Sequence, residues 1–154
     1  MTDYFQGVVA EYLRADRGMF VNPEILLQLD PGASATKGRF WYCDLMAVSL
    51  REKAVFLCEV TYSSSVSALI RRLDAWRTHW ADLKLALQRD CGVDPTWSLS
   101  AWVFLPEDHK AVYDRKLAKL GSLGSPGIMP EPKVTFLEQV VPWKYCTWDR
   151  QPDA

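Results

Sequence analysis

A chain of 154 residues, 49% hydrophobic and 24% charged, can bury a core of its own and is too apolar to stay disordered. Its formal net charge of -1 excludes recognition of nucleic acid through a uniformly basic surface, so any such role must rest on a local patch. The longest apolar runs, such as Ala54 to Cys58, are too short to span a bilayer, and Met1-Thr2-Asp3-Tyr4 lacks the basic start of a signal peptide. The expected setting is therefore cytoplasmic, with no membrane partner.

Taken in chain order, Thr2 stands in the N-cap place for a helix over Asp3 to Arg14, where Tyr4, Phe5, Val8, Tyr12 and Leu13 fall at helical spacing. Gly18 ends that region. Pro23 to Leu29 reads as a short strand closed by the turn Asp30-Pro31-Gly32, and a polar loop follows to Gly38. Phe40 to Leu50 and Ala54 to Tyr62 read as two strands around the charged turn Arg51-Glu52-Lys53. Both are apolar on each face, which calls for helices on both sides of the sheet.

Ser63-Ser64-Ser65 supplies caps for one helix running to about Cys91-Gly92, along the stripe Val66, Leu69, Ile70, Leu73, Trp76, Trp80, Leu83 and Leu87. Trp97 to Leu105 reads as a strand, Pro106 to Leu120 as a helix, Gly121 to Pro132 as a loop and Lys133 to Val141 as a last strand. In the tail from Pro142 to Ala154, Trp143, Tyr145 and Trp148 alternate as on an edge strand; they suit core packing first and a protein partner or homodimer surface second. The order is α-β-β-β-α-β-α-β over one domain, residues 1–154. Tight connections among the first three strands require antiparallel pairs, and the strand-helix-strand units require parallel crossovers. The expected class is α/β, with a mixed sheet flanked by helices.

Asp44 and Glu59 are the most informative residues. Each is an acid inside an otherwise apolar strand, where a carboxylate costs several kcal/mol unless it is paired or binds a metal. A hairpin turn near Glu52 with a pairing sum of 103 sets them opposite one another. Their charges then repel, raising one pKa unless a cation intervenes. Two carboxylates, a backbone carbonyl and waters suit Mg²⁺ (or Mn²⁺).

With these residues in place, the chain resembles the PD-(D/E)XK, or restriction-endonuclease-like, nuclease superfamily across most of residues 3 to 105. Asp44 matches the acid of the second strand, Glu59-Val60-Thr61 stands where E-x-K is found, and Glu11 matches a glutamate often present on the first helix. No proline precedes Asp44, and Thr61 replaces the motif lysine, which positions the attacking water and steadies phosphate charge. The resemblance implies metal-dependent hydrolysis of phosphodiester bonds in DNA, with Asp44, Glu59 and the Val60 carbonyl holding the metal, Thr61 orienting the water and Glu11 assisting. The missing cation is sought in Arg71 or Arg72 of the following helix, or in Lys37 of the preceding loop; these three are also the candidate phosphate contacts. The same acids suit a nuclease-like module that has lost catalysis and binds nucleic acid or protein. They also suit an unrelated α/β binding protein whose strand acids are satisfied by arginines.

Other chemistry is weaker. Cys43 and Cys58 sit in apolar strands and read as buried thiols, and Cys91 and Cys146 complete no zinc spacing. His79 and His109 have no ligand partner at i+4, and Gly121 to Gly127 lacks a P-loop lysine.

Overall fold

The computed structural model describes residues 3–31, 37–121, 123 and 128–145. A five-stranded sheet is built from β1 (Met19–Gln28), β2 (Phe40–Ser49), β3 (Ala54–Val60), β4 (Ser98–Leu105) and β5 (Lys133–Phe136), in that spatial order. β1, β2 and β3 pair antiparallel, whereas β3, β4 and β5 pair parallel, so the sheet is mixed as their connections require. The crossover from β3 to β4 carries α2 (Ser67–Thr78) and α3 (Trp80–Cys91); that from β4 to β5 carries α4 (Lys110–Leu117).

The central strands are apolar on both faces because both are covered. On one face Leu57, Val103 and Leu105 pack beneath Trp76, Trp80, Leu83 and Leu87 of α2 and α3. On the other, Phe56, Cys58, Trp102 and Phe104 meet Val9, Ala10 and Leu13 of α1 (Tyr4–Arg14). Cys43 and Cys58 are buried free thiols.

Several boundaries differ from the sequence reading, each for a local reason. Asp3 caps α1, its carboxylate accepting the Gln6 N–H at 2.8 Å; Thr2 lies outside the described residues. β1 begins at Met19, earlier than Pro23, because Asn22-Pro23-Glu24 hides the alternation and an edge strand tolerates proline. The long apolar stripe forms two helices rather than one. Thr78 donates its hydroxyl to the Asp74 carbonyl at 2.9 Å, a bond that bends helices, and the kink falls at His79. Val66 supplies no side-chain cap and enters α2 with φ 50°. The predicted helix over 106–120 opens with a 3-10 turn at Glu107–His109 before α4. β5 stops at Phe136, where another 3-10 turn follows and Glu138 accepts the Glu107 N–H at 3.1 Å. In the tail, Pro142–Lys144 is a 3-10 turn rather than a strand, Tyr145 packs edge-on to Tyr12 at 5.7 Å, and Trp148 lies outside the described residues.

Candidate functional site: an acid pair and an arginine at the parting of two strands

β1 and β2 change faces together at one point. Met19 and Val21 of β1, with Leu45 and Ala47 of β2, pack toward α1, whereas Ile25 and Leu27, with Cys43 and Trp41, pack toward α2 and α3. The change falls at Glu24 and Asp44, between the pairs Pro23↔Leu45 and Ile25↔Cys43, and Glu24 takes φ 52° to make it. Released from the regular alternation, the Asp44 side chain reaches along the sheet toward β3, and its Oδ2 accepts the Val60 N–H at 2.9 Å.

Glu59 answers from the other strand. The β2–β3 register runs from Ser49↔Ala54 to Leu45↔Cys58, and its continuation sets Asp44 opposite Glu59. There the side chains replace the backbone ladder: Glu59 Oε2 accepts the Asp44 N–H at 3.0 Å. The two acids are thus brought together, as their spacing requires. Glu59 is buried, only 6% exposed.

The third member comes from α2. Arg72 Nη1 donates to Glu59 Oε1 at 2.7 Å and to the Tyr42 carbonyl at 2.6 Å, bridging β2 and β3 where they part. The approach to α2 is fixed by Lys116 of α4, whose ammonium donates to the Ser65 carbonyl at 2.6 Å and to the Ser67 hydroxyl at 3.0 Å.

Burial is the main force on both carboxyls. It raises the pKa of Asp44, against the Val60 N–H and the charge of Arg72. Burial and then the charge of Asp44 push Glu59 from an ordinary 4.5 to about 8, with Arg72 offsetting only part of the shift. The Coulombic contribution from α1 to Asp44 comes from Asp3, which sequence reasoning did not single out.

The other candidates are placed apart. Glu11 is exposed on α1 and pairs with Arg14 at 3.2 Å. Arg71 is exposed on α2, and Lys37 is exposed at the start of the turn into β2, its carbonyl accepting the Gln28 side-chain amide at 2.6 Å. Thr61 is half-buried just beyond β3; its N–H continues the parallel ladder to the Phe104 carbonyl at 3.0 Å and its hydroxyl accepts the Ser63 N–H at 3.3 Å. Asp74 pairs with Arg77 at 2.6 Å. His79 lies beside Trp41 and His109 beside Tyr62, with ring centroids 6.0 and 6.2 Å apart.

Asp44 and Glu59 are the side chains that could hold a divalent cation. Among the described residues no group of three or more His, Cys, Asp or Glu stands together, so a metal here would draw most of its coordination from water, as Mg²⁺ does. The donor set fits such an ion. It is all oxygen, and its two carboxyls repel one another; each engaged oxygen also keeps a second lone pair. No helix among the described residues is long and apolar enough to cross a membrane. No protein-family model, curated protein or solved structure matches the chain.

Proposed function

We infer that the chain is a divalent-metal-dependent nuclease of the restriction-endonuclease-like kind, acting on phosphodiester bonds of DNA. The observation that carries the reading is the meeting of Asp44, Glu59 and Arg72 at the parting of β2 and β3. Arg72 offers the cation that Thr61 cannot. Its guanidinium forms only part of its hydrogen-bonding fork to Glu59 and Tyr42, and the remaining N–H groups suit a phosphate oxygen. Glu24, a non-glycine residue at φ 52°, stands where β1 and β2 change faces beside Asp44.

When bound, Mg²⁺ would supply Lewis-acid polarisation of the phosphate and a water of lowered pKa. Asp44 and Glu59 would hold the ion, and their carboxyls would have to be deprotonated to do so, because ligands bind deprotonated. Arg72 orients the phosphate and balances charge on the non-bridging oxygens. Thr61 lies just beyond β3, two residues past Glu59, where its hydroxyl, which accepts the Ser63 N–H, can donate to a water. The test is cleavage of plasmid and single-stranded DNA with Mg²⁺ or Mn²⁺, which Asp44→Asn should abolish.

One observation favours a second reading, a nuclease-like module without catalysis. Glu59 Oε1, Glu59 Oε2 and Asp44 Oδ2 each accept a hydrogen bond from the protein itself, and Arg72 stands where it can neutralise the pair without a metal. In that case the wild type binds nucleic acid or a protein partner, and neither metal restores cutting.

A further inference from the structure

The face of the sheet beneath α1 carries a cavity of about 380 Å³, within the range of about 300–1,000 Å³ common for small-ligand sites. Its walls come from the end of α1, the start of β1, the turn between β2 and β3, the middle of β4 and the first residue of β5. It is separate from the acid-arginine site. Leu13 and Trp102 of its wall pack in the cluster beneath α1, whereas Arg72 reaches Glu59 from α2 on the other face.

Lys133 is the cation of this cavity that has no acid beside it. It pairs with Trp102 in the β4–β5 register, so both side chains lie on one face of the sheet. Its ammonium rests 3.9 Å from the centroid of the Trp102 ring and 5.5 Å from that of Phe56. Trp102 is itself fixed, its indole N–H donating to the Thr135 hydroxyl at 2.9 Å. The charge is thereby held inward over the sheet, and it acts on the buried Cys58 thiol. Among the described residues, however, Lys133 forms no ion pair and no hydrogen bond. The rings cover one side of the ammonium and leave it N–H donors for an acceptor on the other.

The remaining charges set the ligand's own. Arg51 pairs with Asp16 at 3.3 Å, and Glu52 is exposed to water on the turn, which leaves one positive charge to be met. A monoanion meets it, whereas Asp16 and Glu52 repel a phosphate dianion. Tyr12, Leu13 and Met19 supply apolar wall beside it. We propose that this cavity binds a small monocarboxylic acid, its carboxylate on the Lys133 ammonium and its apolar body against Tyr12, Leu13 and Met19. A charge-assisted hydrogen bond fixes one end of such a ligand, and burial of its apolar end supplies the rest of the affinity.

The test is an NMR titration of the ¹⁵N-labelled full chain at neutral pH and low salt with phenylacetate, hexanoate, phenylacetamide and inorganic phosphate. At least one of the two acids should saturate with a Kd of about 1 mM or below, shifting the amides of Tyr12, Met19 and Lys133. Phenylacetamide, the same size without the charge, and phosphate should each bind about tenfold or more weakly than that acid. Lys133→Arg should bind like wild type, whereas Lys133→Met, which keeps an apolar stem over Trp102 and loses the charge, should lose about tenfold or more. Circular dichroism should show both variants folded, since Lys133 is exposed on an edge strand. The comparison of acid with amide needs no variant and decides the matter should either substitution unfold the chain. No saturation by either acid, equal binding of acid and amide, phosphate binding as tightly as the acids, or wild-type binding by Lys133→Met would each overturn the proposal.

Discussion

Arg72 reaches 2.7 Å from Glu59 across the sheet-helix interface while its Nη1 also holds the Tyr42 carbonyl at 2.6 Å, so one guanidinium nitrogen ties α2 to the two strands that bear the acids. The geometry couples charge to architecture. Whatever binds at Glu59 acts also on the place where β2 and β3 separate.

Removing that arginine should cost stability. Arg72→Met leaves Glu59 buried without its cation, a situation that destabilises by roughly 3–5 kcal/mol when a buried charge is stranded. Glu59 can take up a proton instead, and Arg72 keeps about a third of its side chain exposed, so a loss on the order of 1–3 kcal/mol is expected. Urea unfolding at pH 8 and at pH 5.5 measures it; the loss should be larger at pH 8, where the carboxylate charge is dearer. Equal losses at both pH values would show that Arg72 acts through packing alone.

Acidity should raise stability over a defined window. Glu59 has a folded pKa of about 8 against an ordinary 4.5, so between these values the folded protein holds a proton that the unfolded chain has lost. Its contribution is fully present below about 4.5 and is lost as pH rises through 8, at about 1.4 kcal/mol per unit for an isolated group. Glu59→Gln should flatten the fall in melting temperature between pH 5 and 8. A variant with the wild-type slope would assign that slope to other groups.

Divalent cations should oppose this trend. Millimolar Mn²⁺ or Mg²⁺ should add RT ln(1 + [L]/Kd) to the folding free energy and so raise the melting temperature, more strongly near pH 8, where fewer protons compete. Asp44→Asn should remove the gain while stabilising the metal-free protein at pH 8, because one of two repelling charges is gone. A metal response that survives Asp44→Asn would place the ion elsewhere.

Cleavage separates the origins of the cation. If Arg72 fills the role of the motif lysine, Arg72→Ala should lower Mg²⁺-dependent cutting by 10²-fold or more, on the order of the loss of one transition-state donor. Thr61→Ala, Arg71→Ala and Lys37→Ala should each cost less. Should Thr61→Lys cut and wild type fail, the chain lacks only its cation. Failure of both on DNA and RNA would end the enzyme reading.

Much of this was legible in the residues themselves. Apolar runs on both faces of residues 40–50 and 54–62 required a sheet covered on two sides, and the short turn at Arg51-Glu52-Lys53 fixed an antiparallel pair with its register. That register alone set Asp44 against Glu59, because side chains alternate with a period of two. Periodicity could not show the kink at His79, which depends on a Thr78 hydroxyl competing for a backbone carbonyl.

Only tertiary structure decided which cation meets the acids and which rings meet one another. Arg71 and Arg72 are adjacent in sequence and alike in chemistry, yet successive positions on a helix point about 100° apart, and the packing of Trp76 and Leu73 against the sheet turns Arg72 inward and leaves Arg71 outside. Glu11 sits on the correct helix, but the docking of Val9 and Leu13 directs it to solvent, so Asp3 is the α1 acid that acts on Asp44. Phe5, Tyr62 and His109 come from three elements far apart in the chain, and their meeting follows from where α1 and the β4 turn dock at one end of the sheet. Local pattern determines each strand and each helix face; long-range packing determines which side chains share a site, because no local rule relates the rotation of one element to that of another.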